Sequence, residues 1–193
     1  SGAVPDSQWR RFAAAVGDLS EQLAVRRMVA LGAYPFAAPH TRPARLSSTS
    51  PSAQVSASVP YLKNSVDVPA GMGAVLEHEL HGRGITALGL WAQVPHYVSS
   101  MSYPDASVAL LTGLREMAGL EIDGAATRTE AERQRRRLDQ LVAGNEEHQG
   151  MVRQLEELYD TSAQQTLSLG IADIPSGDQI AAEFEAFLRD QDD

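Results

Sequence analysis

PAGMGAVLEHELHGRGITALGLWAQVPHYV, residues 69–98, reads in order as a turn, a helix, a stop and a strand, and it decides the fold class. Gly71 and Gly73 allow a tight backbone approach, Val75, Leu76 and Leu80 recur at helical spacing, and Gly82 with Gly84 ends the run. From Ile85 to Val94 the residues are almost continuously apolar and include Trp91, the pattern of a strand covered on both faces. Pro95 then ends it. A strand of this kind belongs inside a parallel sheet, whose binding crevice lies outside the carboxyl ends of the strands. His96 and Tyr97 fall at such an edge.

Upstream, Asp6 or Ser7 is placed to cap a helix whose apolar face is Trp9, Phe12, Val16, Leu19 and Leu23, at steps of three and four. Met28 to Ala33 gives a short buried strand, which runs into a second proline-histidine corner, Pro39-His40-Thr41-Arg42-Pro43. The chain thus repeats helix, apolar strand, Pro-His. Residues 44–58, rich in Ser, Ala, Thr and Pro, read as a loop with an edge strand at Val55 to Val59. Only two or three strands are visible, whereas sheets average about 5 to 6. The missing strands are expected either from a partner chain or from a longer protein of which these residues are the carboxyl part.

Downstream, Pro104 suits the first turn of a helix carrying Val108, Leu110, Leu111, Leu114 and Met117, with Gly119 closing it. Thr127 to Asp160 is charge-rich helix, with Glu130 and Glu132 in the first turn and Arg133, Arg135, Arg136 and Arg137 following. Leu138, Leu141, Val142, Val152, Leu155 and Tyr159 mark one apolar stripe, broken at Gly144-Asn145. Two helices, or one kinked helix, form an appendage. Leu167 to Ile174 is irregular, and Ser176 with Gln179 forms a capping box for a last helix carrying Ile180, Phe184, Phe187 and Leu188. The predicted organisation is an α/β core over 1–122, a helical appendage over 123–174 and a terminal helix over 175–193 that packs back on the core.

At 193 residues the chain can bury a core without staples. It has no cysteine, which excludes disulfides and thiolate metal sites and fits a reducing, cytoplasmic setting. A formal net charge of -9 argues against non-specific nucleic-acid binding, which needs a basic surface. No run approaches the ~18 to 20 apolar residues of a spanning helix, so no membrane partner is expected.

Taken together, PHTRP at 39–43, the Gly-rich turn followed by VLEHEL, LWAQVPHYV, YPDASVALL, LEELYD at 155–160 and EFEAFLR at 183–189 resemble the actinobacterial branch of the proteasome assembly chaperone family. The resemblance spans nearly the whole chain. It implies a three-layer α/β sandwich with a mostly parallel sheet, similar in topology to purine nucleoside phosphorylases, plus a helical appendage. It also implies homo-oligomers, a proteasome-related protein partner, and relatives with several strands ahead of the point where this chain begins.

His40, Thr41, Arg42, His96 and Tyr97 are candidates to converge at one sheet edge, where imidazoles transfer protons, a guanidinium holds phosphate or carboxylate, and a phenol stacks or donates. The alternative is that both corners end strands, with the histidines hydrogen-bonded to backbone and Arg42 paired with a carboxylate that positions the loop. Gly71 and Gly73 leave amide donors at a helix entrance that can cradle an anion, but the third glycine of a dinucleotide fingerprint and the Lys-Ser/Thr of a P-loop are missing. His78, Glu79 and His81 have histidines three apart rather than the four of a metalloprotease helix, so no metal is expected, and no cofactor. There is no Gly-x-Ser-x-Gly elbow. Trp91 reads as core, and the Arg133–Arg137 cluster as a solvated face paired with Glu130 and Glu132. The leading reading is a non-catalytic interaction protein that self-associates and offers its appendage to other proteins. The rival is an enzyme or binding protein for a nucleoside or small phosphate- or carboxylate-bearing ligand, with Arg42 as anion clamp and His40 or His96 as acid or base.

Overall fold

The apolar run at 85–94 forms the spine of the protein, whose computed structural model describes residues 5–62 and 71–168. This strand, β3 (Thr86–Pro95), is buried along its length except for partly exposed Thr86 and Trp91, and it lies in the middle of a three-stranded sheet ordered β1-β3-β2. β1 (Arg27–Phe36) pairs with it in parallel, in register from Arg27 opposite Thr86 to Phe36 opposite Pro95. β2 (Leu46–Thr49) pairs antiparallel, from Leu46 opposite Ala92 to Thr49 opposite Gly89. The described sheet is therefore mixed, where a mostly parallel one was expected.

Two expectations for the Ser-rich segment fail for the same reason. β2 hides there because its buried serines are held by hydrogen bonds rather than apolar contact: Ser47 Oγ lies 3.2 Å from Tyr34 Oη and donates to the Trp91 carbonyl at 3.4 Å. The predicted edge strand at Val55 to Val59 is instead mostly helix, α2 (Ala53–Ser58), because Ser52 Oγ accepts the Val55 N–H and caps it. β1 is longer than predicted and is not buried: Tyr34 is its one buried residue and Leu31 is 48% exposed, since no described strand lies beyond it.

Helices cover both faces. α3 (Met72–Gly82) lies over the face that carries Ala30, where a Cβ at Gly73 would stand 3.7 Å from the Ala30 Cβ. α4 (Pro104–Ala118) lies on the opposite face, so close that a Cβ at Gly113 would stand 2.8 Å from Leu46 Cδ1 and 2.9 Å from Leu90 Cδ1. Pro104 opens α4 and Gly119, at φ 67°, closes it, as the sequence predicted. The main core, Leu46, Ala92, Val94, Val98, Tyr103, Ala106 and Leu138, fills this second side; a smaller cluster of Leu80, Ile85 and Ala87 fills the first.

α1 (Trp9–Gln22) turns the opposite way from its prediction. Ala13, Gly17 and Ser20 are buried, while Phe12, Leu19 and Leu23 are 41%, 53% and 68% exposed. The small residues win because Arg83 lies across Gly17 and donates to Asp18, to Glu79 and to the Ala14 carbonyl. The helix begins after Gln8, a left-handed residue at φ 59°, rather than at a capping Asp6 or Ser7.

The appendage is a helical hairpin of α5 (Ala125–Ala143) and α6 (Glu146–Ser168). The break is where the sequence put it. Asn145 Oδ1 accepts the N–H groups of Glu147 at 2.9 Å and His148 at 3.2 Å, which starts a new helix. Arg133 pairs with Glu130 as expected, whereas Arg135 reaches Asp105 on α4 at 2.8 Å. The helix predicted after Ser176 lies outside the described residues. Among the described residues no helix is long and apolar enough to cross a membrane.

Candidate functional site: the 39–45 corner

The corner after β1 is where the core meets both helices of the arm. His40 is 1% exposed and makes three polar contacts, to two residues. Its backbone N–H donates to Tyr97 Oη at 2.8 Å, its Nδ1 lies 2.7 Å from the same oxygen, and its Nε2 lies 3.3 Å from Asp139 Oδ1 on α5. Because the Tyr97 oxygen already accepts the backbone N–H, its own proton is free to go to Nδ1, which leaves the ring hydrogen on Nε2, facing Asp139. Burial lowers the His40 pKa, and the neighbouring Asp139 opposes that. Burial pushes the Tyr97 phenol up to about 12, so it stays protonated and serves as a donor rather than a base.

Thr41 and Arg42 turn to α6. Thr41 Oγ1 donates to Glu156, and Arg42 Nη1 donates to the same carboxylate at 3.0 Å. Arg42 Nε and Nη2 form a fork on Asp160, at 3.1 and 2.8 Å, and this pairing holds the Asp160 carboxyl below its usual range. Arg45 continues the seat: it donates to Ser162 Oγ and to the Tyr159 carbonyl, both at 2.7 Å, with its guanidinium 3.5 Å from the centre of the Tyr159 ring. Tyr159 Oη in turn donates to the Pro43 carbonyl at 3.0 Å.

The structure thus joins His40, Thr41, Arg42 and Tyr97, and separates them from the other candidates. His96 is exposed at the surface, its ring edge-on to Tyr97 at 5.4 Å. Gly71 and Gly73 sit at the entrance of α3, on the opposite face of the sheet from the α4 side to which Tyr97 packs. Gly71 has φ -91°, which any residue adopts. His40, Arg42 and His96 go to three places: an interior corner, a helix surface and solvent. The chemistry of His40, Arg42 and Arg45 as a set is to bind helices, by one buried imidazole and two guanidinium groups facing carboxylates, a carbonyl and an aromatic ring.

Sequence reading missed Arg45, Asp139, Glu156 and Asp160, although the i, i+4 spacing of the last two was visible. It also missed a buried polar row across the sheet, where Gln93 Nε2 donates to Tyr34 Oη at 3.2 Å beside Ser47. Nearby, Trp91 lies over Gly32 and Gly89, with Nε1 donating to Thr49 Oγ1, which donates to Glu77. Burial raises the Glu77 pKa, and the Thr49 bond opposes that. A Cβ at Gly89 would stand within 2.8 Å of all three partners, so this cluster requires glycine there.

The sequence model of the PAC2 family matches residues 1–142. Among solved structures, a Corynebacterium glutamicum protein of unknown function is similar over 86% of this chain and 61% of its own, at 31% identity and TM-score 0.79. A Mycobacterium tuberculosis protein of unknown function matches 86% of this chain and 57% of its own, at 32% identity and TM-score 0.76. A second protein from that organism, described as a proteasome-assembly chaperone homologue, matches 78% of this chain and 64% of its own, at 31% identity and TM-score 0.69. The chain therefore spans under two thirds of the length of these relatives. No curated protein matches it.

Proposed function

The chain belongs to the PAC2 family, and from that premise we propose that it is a non-catalytic interaction protein of the assembly-chaperone kind. It self-associates, works in the cytoplasm and presents its helical arm to a protein partner related to the proteasome. Its α/β layers follow the topology of purine nucleoside phosphorylases without their chemistry, because shared layers do not carry shared function. One observation carries the reading: the corner residues best equipped for a ligand spend their polar groups on the protein's own helices. Arg42 is filled by Glu156 and Asp160, and His40 is enclosed by Tyr97 and Asp139. The arm is the surface we assign to recognition.

The test is chemical cross-linking and co-purification of the tagged full chain from its own cells. A stoichiometric protein partner cross-linked to α5 or α6 is expected. Failure to recover one, together with a rise in melting temperature on adding phosphate, sulfate or a nucleoside that Arg42→Ala abolishes, would replace this reading with the ligand-binding one.

A further inference from the structure

α6 occupies its seat as an exchangeable ligand would. Glu156 and Asp160, four residues apart, place carboxylates on Thr41 and Arg42; Tyr159 covers Arg45, and Ser162 accepts from the same guanidinium. The seat reads a helix by charge, by i, i+4 spacing and by one aromatic ring. Among the described residues, the link that joins this helix to the rest of its own protomer is Gly144 and Asn145. Gly144 already has helical angles, φ -80° and ψ -2°, so the turn is maintained by Asn145 capping the amino end of α6. Without that cap α5 runs on into α6, and the carboxylates are carried away from their own corner.

We propose that α6 is traded between copies, so that the 40–45 corner of one protomer takes α6 of a second copy. The proposal rests on the interaction-protein reading above and supplies a mechanism for its self-association. A second copy is the occupant because its α6 carries the same carboxylate, ring and hydroxyl at the same spacing that the seat already accepts. Each described bond to the corner then reappears between chains, and among the described residues the closed and traded forms differ in the hinge and in the freedom lost on association. The hinge is of the short kind in which small changes favour exchange.

The absence of cysteine makes the test unambiguous. Thr41→Cys is placed in one copy of the full chain and Glu156→Cys in another, each leaving the Arg42–Asp160 fork intact. The two are mixed, incubated and treated with a short bismaleimide. A covalent heterodimer is expected whose yield rises with concentration, several-fold further when both copies carry Asn145→Ala. It should fall with Glu146→Pro, because proline at the first helical position fixes the start of α6. The double variant Thr41→Cys/Glu156→Cys, bridged within one chain, verifies that the reagent spans the seat. No heterodimer at any concentration, or a strictly monomeric mass of the unmodified chain by light scattering, overturns the exchange. Recovery of a foreign partner without heterodimer leaves the interaction reading standing and removes this one alone.

Discussion

α5 and α6 are joined by two residues and run side by side, yet the balance of forces that fastens them differs, for α5 adds the Arg135–Asp105 and Asp139–His40 pairs to its apolar contacts while α6 relies more on charge. α5 puts Leu138 and Ala131, 6% and 4% exposed, into the interior, and Leu138 joins the cluster of Val94, Tyr103 and Ala106. α6 buries Val152 and Leu155, but its bonds to the core are those of Thr41, Arg42, Pro43 and Arg45. Apolar contact is not screened by salt and binds no proton, whereas exposed charge pairs answer to both. The arm therefore has a fixed half and a releasable half. His40 stands at the boundary, buried like the first and ionisable like the second.

The largest expected effect falls on the fixed half. Leu138→Ala removes a buried side chain from the main core and should cost roughly 2 to 5 kcal/mol in urea unfolding, equally at low and high salt. A loss that halves in high salt would mean that the Arg135–Asp105 and His40–Asp139 pairs, rather than Leu138, carry α5. Next is His40→Ala, which strips Tyr97 and Asp139 of their shared partner at a cost of roughly 1 to 3 kcal/mol. Its pH dependence is more telling than its size. Burial depresses the folded-state pKa of His40, so its contribution is complete above the unfolded value of 6.5 and is lost as pH falls through the lower folded value. Tyr97, Asp139, Glu156 and Arg135 face it; the two carboxylates favour the charged imidazole and Arg135 opposes it, and burial outweighs them. Wild-type stability should decline from pH 7 towards pH 5, and His40→Ala should flatten that decline. An unchanged slope would place the titration elsewhere.

How far the sequence foretold this contrast depends on which force held each piece. β3, α4 and the Gly144-Asn145 break are written in apolar periodicity and in Pro, Gly and Asn at chain turns, signals local to the segment. α1 misled because its apolar face is genuine, but Arg83, distant in sequence, fixes the opposite face. β2 was invisible because three of its four residues are serine or threonine, two of them buried, so Leu46 alone carried a hydrophobic signal. The site was half legible: His40, Thr41, Arg42 and Tyr97 were singled out by residue type, and the corner's pairing with a carboxylate was one of the two readings. Which carboxylate could not be read. Glu156 and Asp160 lie more than a hundred residues away, and short-range spacing says nothing of such a pairing.

The smallest effect on global stability, and the most specific, belongs to Arg42→Ala. The guanidinium fork on Asp160 is solvent-facing, so its removal should leave the main unfolding transition nearly unmoved. What should change is local. With Arg42 gone, Thr41 and Arg45 still reach α6, but Asp160 loses its partner and Glu156 keeps one bond of two. Amide exchange and protease cleavage within α6 should accelerate several-fold at low salt, while α5 stays as protected as before. Salt near 1 M shortens the screening distance to about 3 Å and should bring wild-type α6 towards the variant's rate. If α5 loosens in step with α6, the two helices open as one unit, and the division of the arm into a fixed and a releasable half is wrong. If neither loosens, the carboxylates of α6 are ornaments on a helix held by Val152 and Leu155, and the seat at the corner reads nothing.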